Sequence, residues 1–273
     1  MDPSPPAIAR AFEEKLPREP QVVFANNQYR AIRSSASSTV EEDAAAVYWE
    51  EDIETYHNLL DRYFPRIGHA SPLSSRMPIA EQTHRLETES DVLRLATLQL
   101  LHPVNVALQQ SCPPGTRIFC RTENSPSLSS RFDVEWALFN TRDECLCTLA
   151  ILEIKNTHVI LKDDFKHAAV NERNFQSKTT MAMKQPDLSL LKRNAFWLSK
   201  QARKYARNCP YVAVFDWNAM FIFSFIPRSQ KPVRGLYFDE NGRTGDMTFR
   251  RLLFAFVIRP LKKYEATRLR GGA

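Results

Sequence analysis

The chain is poor in glycine and has none of the short glycine-rich motifs that bind phosphate groups. It contains 7 glycines in 273 residues. Neither G-x-G-x-x-G nor G-x-x-x-x-G-K-[ST] occurs, which argues against a dinucleotide-binding domain and against a P-loop NTPase. No G-x-S-x-G sequence occurs, which argues against hydrolysis by an elbow serine. Hydrolysis would therefore need another source of nucleophile.

Long apolar runs and paired cysteines are also missing. No run reaches the roughly 18 apolar residues needed to span a membrane, so no membrane segment is predicted. The start, Met-Asp-Pro-Ser-Pro-Pro, has neither a basic region nor an apolar one, so no secretory signal is predicted. The 5 cysteines are odd in number and form no C-x-x-C pair. These absences predict an intracellular protein, nuclear or cytoplasmic, with reduced thiols.

Positive charge is in modest excess and is unevenly distributed. The net charge is +6, which favours a polyanionic partner. Residues 192–207 contain six basic residues and no acid, and residues 250–270 are also rich in Lys and Arg. The candidate nucleic-acid-binding residues are Lys192, Arg193, Lys200, Arg203 and Lys204. The alternative is that these charges only solvate helix surfaces.

The segment around Glu153 has the pattern of an apolar strand that ends in charged residues. Residues 149–154 are apolar apart from Glu153, which is typical of a strand buried on both faces. Side chains alternate along a strand, so Glu153 and Lys155 share one face. Residues 132–139 are a second strand candidate and carry Asp133. The two strands predict a hairpin that places Asp133 beside Glu153 or Lys155.

Two such carboxylates repel each other unless a cation lies between them. At about 4 Å the repulsion is about 4 kcal/mol at an effective dielectric of about 20. Mg²⁺ suits the pair, because it accepts one or two carboxylates together with water and a substrate phosphate. Lys155 would then hold the attacking water or stabilise charge on the phosphate. The order Asp133, nineteen residues, Glu-x-Lys thus predicts metal-dependent phosphodiester hydrolysis.

A third element, Gln201-Ala-Arg-Lys-Tyr205, follows these strands. With it, the chain resembles the PD-(D/E)XK nuclease superfamily over roughly residues 87–225, and within it a branch found in fungi. Gln201 and Tyr205 match the Gln-x-x-x-Tyr motif of RecB-type and lambda-exonuclease-type members, and their spacing places both on one helical face. The proline that gives the superfamily its name is replaced by Phe132, at a position that varies among members.

The resemblance implies a restriction-endonuclease-like α/β fold, in which a mixed central sheet is flanked by helices. It also implies a nuclease that acts on DNA, with RNA as the alternative substrate, through a metal-activated water. The implied catalytic residues are Asp133, Glu153, Lys155, Gln201 and Tyr205. Asp133 and Glu153 would hold one or two Mg²⁺ ions, with Mn²⁺ as the alternative. Gln201 and Tyr205 would support the site without breaking bonds.

Glu89 is the candidate third metal ligand. It lies in the first turn of a helix predicted over residues 88–110 with a kink at Pro103. The resemblance implies that an acid on this helix joins the metal site, and Glu87 is the substitute. Alternatively, Glu89 only stabilises the positive end of the helix dipole. Glu135 is either a rim residue or an alternative ligand.

Four segments are predicted along the chain: a Pro/Ser-rich leader (1–40), a helical extension (41–84), the nuclease-like domain (85–265) and a tail (266–273). The extension is predicted to hold one helix over residues 39–64, with a capping box of Thr39 and Glu42. Other predicted elements are strands at 116–121, 146–155, 158–161, 211–215, 220–225 and an edge strand at 232–238, helices at 163–172, 188–207 and 246–264, and a loop at 174–186.

A second function class remains open from the sequence. A nuclease-like fold without catalysis would bind nucleic acid or a protein partner. The presence of Asp133, Glu153 and Lys155 together argues against this, because an inactive site can lose them without losing the fold. A nuclease acting as a toxin or effector would share the chemistry and differ only in context.

Overall fold

The computed structural model describes residues 6–19, 21–32, 42–66, 71–78, 84–127, 130–225, 232–241 and 246–271. The strands in these ranges are β1 (Val22–Phe24), β2 (Tyr48–Glu50), β3 (His84–Leu86), β4 (Thr116–Ser127), β5 (Ser130–Asn140), β6 (Cys145–Ile154), β7 (Ala169–Val170), β8 (Tyr211–Phe215), β9 (Met220–Ser224) and β10 (Val233–Phe238). The α-helices are α1 (Ile8–Ala11), α2 (Glu54–Tyr63), α3 (Glu89–Ala96), α4 (His102–Gln110), α5 (Lys162–Phe165), α6 (Phe175–Ala182), α7 (Arg193–Tyr205) and α8 (Phe249–Gly271).

Eight strands form one mixed sheet in the order β4-β5-β6-β8-β9-β10-β2-β7. The pairs β6/β8, β10/β2 and β2/β7 are parallel, and the other neighbours are antiparallel. Strands β8, β9 and the second half of β6 consist almost entirely of buried residues. Burial on both faces explains their continuous apolar sequence. The separate pair β1/β3 is parallel.

Helices cover both faces of this sheet, which confirms the predicted α/β class with a mixed sheet between helices. Leu152 on β6 packs with residues of α3, α4 and α8, whereas the adjacent Ile151 packs with residues of α5 and α7. Trp136 on β5, predicted to be a core residue, is fully buried. Its indole Nε1 donates a hydrogen bond of 2.7 Å to Asn105 Oδ1 on α4. Alternation along the inner strands therefore builds two cores, one on each face.

The predicted interruption at Pro103 is a π-helical turn (Thr97–Leu101) between α3 and α4. Pro103 has no N–H to donate to the carbonyl of Gln99, four residues earlier. That carbonyl accepts a hydrogen bond of 2.6 Å from Arg250 Nε on α8. Arg250 Nη1 also donates to the Ala11 carbonyl at 2.8 Å. Arg250 is buried, so it joins α8 to α1 and the π turn instead of contributing to a basic surface.

The prediction of one helix over residues 39–64 is wrong. Tyr48–Glu50 forms β2, which pairs with β10 and β7 inside the central sheet, and the helix is confined to α2. Aromatic residues favour strands, and partners far along the chain decide the outcome. Thr39, and with it the predicted capping box, lies outside the described residues. A strand of the predicted extension thus belongs to the same sheet as the predicted nuclease-like domain.

Several predictions in the second half of the chain are also wrong. The predicted loop at 174–186 contains α6, the predicted strand at 158–161 is irregular, and only α5 forms within the predicted helix 163–172. Strand β10 lies between β9 and β2 and is therefore not an edge. α7 begins late, because Leu188 and Arg193 adopt positive φ values of 52° and 45°. α8 continues to Gly271, into the predicted tail.

Gly235 on β10 allows two aromatic rings to lie against the backbone of the sheet. A Cβ atom at this position would lie 2.7 Å from ring atoms of Phe221 and of Tyr48. We expect Gly235→Ala to lower the free energy of unfolding by about 1–3 kcal/mol, because both rings must shift in a packed core. Urea denaturation measures this change. An unchanged midpoint would show that the rings move without cost.

Candidate active site

The predicted hairpin of β5 and β6 is confirmed, and it brings Asp133 to Glu153. The two strands are antiparallel, with Val134 opposite Leu152, so Asp133 and Glu153 are adjacent across the ladder. Asp133 Oδ2 accepts a hydrogen bond of 2.7 Å from the backbone N–H of Ile154. This bond fixes the Asp133 carboxylate at the carboxyl end of β6.

Lys155 follows directly on β6 and is tied to the neighbouring parallel strand. Its backbone N–H donates to the Phe215 carbonyl of β8 at 2.8 Å. Its Nζ donates to Glu153 Oε1 at 2.7 Å and lies 3.8 Å from Glu89 Oε1. Burial alone would lower the pKa of Lys155, but the Glu153 and Glu89 carboxylates raise it above its ordinary value. The ammonium therefore stays charged beside Glu153.

Helix α7 supplies the polar pair predicted from the Gln-x-x-x-Tyr spacing. Gln201 Nε2 donates to Glu153 Oε1 at 2.6 Å and to the Tyr205 hydroxyl at 2.8 Å. The Tyr205 ring packs edge-on against Phe132, with 5.7 Å between ring centroids. Burial and the nearby Glu153 raise the pKa of Tyr205 above its ordinary value. Tyr205 is thus a neutral hydroxyl that holds Gln201 against Glu153.

The amino end of α3 places Glu89, and not Glu87, at the edge of this cluster. The helix begins with a capping box in which Thr88 and Asp91 exchange hydrogen bonds. Asn156, the residue after Lys155, donates through Nδ2 to the Glu87 carbonyl at 2.8 Å. The Glu87 side chain instead lies 3.4 Å from Arg85, and both are exposed. The backbone of β6 is thereby joined to the start of α3.

Glu135 is not part of the cluster. Its buried carboxylate forms an ion pair with Arg121 on the neighbouring strand β4. The Arg121 guanidinium also lies over the Phe139 ring, 5.2 Å from its centroid. The interpretation of Glu135 as an alternative ligand is therefore not supported, and its charge is balanced within the β4/β5 pair.

The surroundings of Asp133 disfavour its ionised form. Burial first, and then the charge of Glu153, raise the pKa of Asp133 to about 7. The hydrogen bond from Ile154 and the charge of Lys155 act in the opposite direction, and Glu89 adds to the increase. Three carboxylates and one ammonium thus influence one another here. A carboxylate with such a raised pKa in a cluster is a frequent sign of a functional site.

The carboxylates of this cluster fit a hard divalent cation, because one buried oxygen of Glu153 is left without a hydrogen bond among the described residues. Glu153 Oε2 is buried and accepts no hydrogen bond within the described chain, and a buried carboxylate oxygen without a donor is costly. Asp133, Glu153 and Glu89 are oxygen ligands of the kind that Mg²⁺ prefers. Across the described ranges, no three His, Cys, Asp or Glu side chains are already arranged as a cage. One or two carboxylates are sufficient for Mg²⁺, which keeps several waters.

Asp216, the residue after β8, connects two segments of the chain through hydrogen bonds from four backbone N–H groups. Its Oδ1 accepts the backbone N–H groups of Asn218 and Ala219 at 3.0 and 2.8 Å. Its Oδ2 accepts those of Val159 and Ile160 at 2.9 and 2.7 Å. Asp216 therefore joins the β8/β9 turn to the segment that leaves β6. Its position directly after a buried strand was the available signal.

The five predicted nucleic-acid-binding residues lie in different surroundings. Lys192 and Arg193 are exposed at the start of α7, and Arg203 is exposed near its end. Lys204 is half-buried, while Lys200 is only 9% exposed. The Lys200 ammonium lies 5.5 Å from the centroids of the two aromatic rings that precede it on α7. The structure thus brings Lys192, Arg193 and Lys200 to one cleft, which Arg203 and Lys204 do not line.

Comparison with known proteins found no relative of the chain. No protein-family model, curated protein or solved structure matches the chain. Among the described helices, none is long and apolar enough to cross a membrane.

Proposed function

We propose that the chain is a metal-dependent nuclease of the PD-(D/E)XK type, and that its α/β fold is restriction-endonuclease-like. One observation carries the proposal. Glu153 accepts hydrogen bonds from Lys155 and Gln201, and Asp133 lies beside it across the hairpin. These residues come from β5, β6 and α7, so separate motifs converge on one carboxylate. A simple ion pair between Glu153 and Lys155 would not need the additional hydrogen bond from Gln201 on α7.

Asp133 and Glu153 are the proposed ligands of Mg²⁺ or Mn²⁺, with Glu89 at the rim. Glu153 contributes its Oε2, which accepts no hydrogen bond from the residues that the structure describes. Such an ion, when bound, supplies an acidified water and neutralises charge on phosphate oxygens. Glu89 is 56% exposed, so it reaches toward the solvent side, from which a substrate strand would approach.

Lys155 is proposed to orient water and to stabilise negative charge on the phosphate. Its raised pKa keeps it protonated, and a protonated ammonium donates hydrogen bonds but accepts no proton. This favours electrostatic stabilisation over a role as general base. Its contact with Glu153 fixes the ammonium before the substrate arrives, so little reorganisation accompanies the reaction.

Gln201 is proposed to be a positioning residue. Gln201→Ala removes the second hydrogen bond to Glu153 Oε1 and the link to Tyr205. We expect a loss of about 10–100-fold in activity and a higher Mg²⁺ concentration at half-maximal rate, since groups that orient metal ligands typically contribute that much. A magnesium titration of cleavage measures both changes.

Two further variants define the expected pattern around Gln201. Tyr205→Phe keeps the packing against Phe132 and is expected to lose less activity than Gln201→Ala. Asn208→Ala, at an exposed position just beyond α7, is the matched control and should behave as the wild type. A uniform loss in rate with no change in the magnesium dependence would contradict the positioning role.

The proposed function is tested by cleavage of supercoiled plasmid, linear single- and double-stranded DNA, and RNA with Mg²⁺ or Mn²⁺. Wild type is compared with Glu153→Ala and Lys155→Ala. Metal-dependent cleavage that both variants lose is the expected result, and nicking versus shortening from ends identifies the mode.

The second candidate function is a nucleic-acid-binding or protein-binding module without catalysis. It is favoured by the absence of a preformed three-ligand cage among the described residues and by the basic start of α7. Binding of DNA with no cleavage above that of the two variants would reject the nuclease and support this module.

A further inference from the structure

A cleft of about 1050 Å³ opens between α6, α7 and the segment after α5. We call it the α6/α7 cleft. Its lining includes basic and aromatic side chains, among them Lys178, Lys192, Arg193, Phe196, Trp197 and Lys200. None of the proposed catalytic residues lines it. The cleft is therefore a separate feature of the described surface.

The lining of the cleft is strongly basic. Lys166, Lys178, Lys192, Arg193 and Lys200 are its cationic residues, against the single acid Asp187. The pKa of His167, also in the lining, lies below its ordinary value because of slight burial first and then the charges of Lys192, Lys166 and Lys178. A low pKa of this kind reports a positive potential. An anionic ligand is therefore favoured.

Some of these cations already have partners inside the protein. Lys166 is paired with Asp163 at 2.6 Å, and Lys178 donates to the Ala169 carbonyl at 2.7 Å. The Arg193 guanidinium lies 5.5 Å from the centroid of the Tyr29 ring. Lys192 and Arg193 are nevertheless exposed, and these two are the cations best placed to meet phosphate groups.

Aromatic rings lie beside the cations. Phe196 and Trp197 are half-buried and nearly perpendicular, with ring centroids 5.4 Å apart. The Lys200 ammonium lies 5.5 Å from each ring centroid, and Lys200 itself is 9% exposed. Met181, which also lines the cleft, is 53% exposed. Rings and basic groups in one groove are the combination that binds unpaired nucleotides, because every base can stack on a ring.

The cleft lies close to the candidate active site along α7. Trp197 and Gln201 are four residues apart, so they lie on the same helical face about 6 Å apart along the axis. Lys200 and Gln201 are consecutive. A strand with one phosphate at Glu153 and Lys155 would therefore bring a neighbouring nucleotide to the α6/α7 cleft.

We propose that the α6/α7 cleft binds unpaired nucleotides of a single-stranded nucleic acid, with a base stacked on Trp197 and backbone phosphates at Lys192 and Arg193. Bases inside a duplex are stacked on each other and would not enter the cleft. Only the cleavage of the bound strand rests on the proposed function, and its binding in the cleft does not. It identifies single-stranded DNA or RNA, or a single-stranded flank, as the substrate class.

Binding is tested without metal, in EDTA, by quenching of tryptophan fluorescence with oligo(dT). Trp136 and Trp217 are fully buried, and Trp49 packs against Phe175 and is not among the residues that line the cleft, so the quenching is expected to come from Trp197. Trp197→Phe should lose the quenching, and Trp197→Ala should weaken binding about tenfold or more. Trp49→Phe, on β2, is the matched control and should keep both. Duplex DNA and polyglutamate should bind much more weakly than oligo(dT).

A charge variant provides an independent measurement. Lys192→Gln/Arg193→Gln should reduce the slope of the logarithm of the binding constant against the logarithm of the salt concentration by about 1.4, about 0.7 for each phosphate contact with a single strand. Equal binding of duplex and single strand, or oligo(dT) binding unchanged in both Trp197→Ala and the charge variant, would overturn the proposal. Binding of polyglutamate as strong as that of oligo(dT) would identify a general anion or acidic-peptide surface instead.

The two proposals fail in distinguishable ways. Binding that depends on Trp197 without any metal-dependent cleavage would leave the cleft as a strand-binding surface and reject the nuclease. Metal-dependent cleavage with normal oligo(dT) binding in both Trp197→Ala and the charge variant would support the nuclease and reject the cleft.

Discussion

Glu153→Gln is expected to lower kcat/KM for cleavage by about 10³-fold or more and to leave the fold intact. Several kcal/mol of charge stabilisation depend on a metal ligand of this kind, and each 1.36 kcal/mol corresponds to a factor of ten. Glutamine has the shape of glutamate and keeps one oxygen for Lys155 and Gln201. The variant therefore removes the negative charge while preserving the contacts at Oε1.

The burial and the hydrogen bonds of Glu153 explain the expected loss of activity. Glu153 is 5% exposed, and the hydrogen bonds of Lys155 and Gln201 both end on its Oε1. In the variant an amide NH₂ replaces Oε2, which is buried and has no hydrogen-bond donor among the described residues. An amide nitrogen is not a ligand for Mg²⁺, which binds oxygen. Isothermal titration with Mn²⁺ should therefore lose the binding event together with activity.

Glu135→Gln is the matched control for this experiment. Glu135 is also a buried glutamate, on the adjacent strand β5, and its partner is Arg121. We expect its cleavage rate and Mn²⁺ binding to remain close to those of the wild type, with some loss of stability from the broken ion pair. Loss of activity in both variants would show that any buried charge here is needed for folding, and it would contradict the specific role of Glu153.

The core of the site could be predicted because its motifs are local. The continuous apolar sequence of residues 149–154 identified the buried strand, and the strand candidate at residues 132–139 predicted the hairpin. The proximity of Asp133 and Glu153 followed from that pairing. Gln201 and Tyr205 were predicted to share a helical face, and their hydrogen bond confirms it. The nuclease assignment of these residues stays a proposal.

The features that the sequence did not predict depend mainly on contacts between distant parts of the chain. Residues 48–50 became β2 because β10 and β7 pair with it. The choice between Glu89 and Glu87 depended on Asn156, which binds the Glu87 backbone. α6 was missed because its sequence is mostly polar and has a weak apolar period. The burial of Arg250 depended on a carbonyl freed by Pro103. None of these partners is adjacent in sequence.

The second large effect is expected from Asp133→Asn, which should stabilise the protein at about pH 8 in EDTA while abolishing cleavage. Asparagine keeps an oxygen for the hydrogen bond from Ile154. It removes a charge that the folded protein accommodates poorly, since burial and Glu153 raise the pKa of Asp133 to about 7. Because Asp133 is only half-buried, we expect a gain on the order of 2 kcal/mol in the free energy of unfolding.

The sign of the pH dependence follows from proton binding. With a pKa of about 7 in the folded protein against an ordinary value of 3.8, the folded state holds the proton more tightly. The free energy of unfolding due to Asp133 therefore falls as the pH rises between these two values. Above about pH 7 the penalty is fully present. Near pH 5 Asp133 is protonated in the folded protein but ionised in the unfolded chain, whose ordinary pKa is 3.8. Roughly two-fifths of the penalty is therefore already present at pH 5, and the advantage of asparagine should be less than half of that at pH 8.

Asp216→Asn provides the contrast that separates charge from hydrogen bonding. Burial raises the pKa of Asp216 to about 6, so charge alone would again predict stabilisation by asparagine. Both oxygens of Asp216, however, accept two backbone N–H groups each. Whichever oxygen the amide NH₂ replaces, two backbone N–H groups then face another donor and lose their acceptor. Asp216→Asn should therefore destabilise the protein at both pH values.

Urea denaturation of the two variants at about pH 5 and about pH 8 decides between these causes. Stabilisation by Asp133→Asn that is more than twice as large at the higher pH, beside destabilisation by Asp216→Asn at both, would place the electrostatic cost at the candidate site and the structural role at the β8/β9 turn. Destabilisation by Asp133→Asn at the higher pH would contradict this division. The Asp133 carboxylate would then hold the hairpin together, and its loss of activity would report folding, not chemistry.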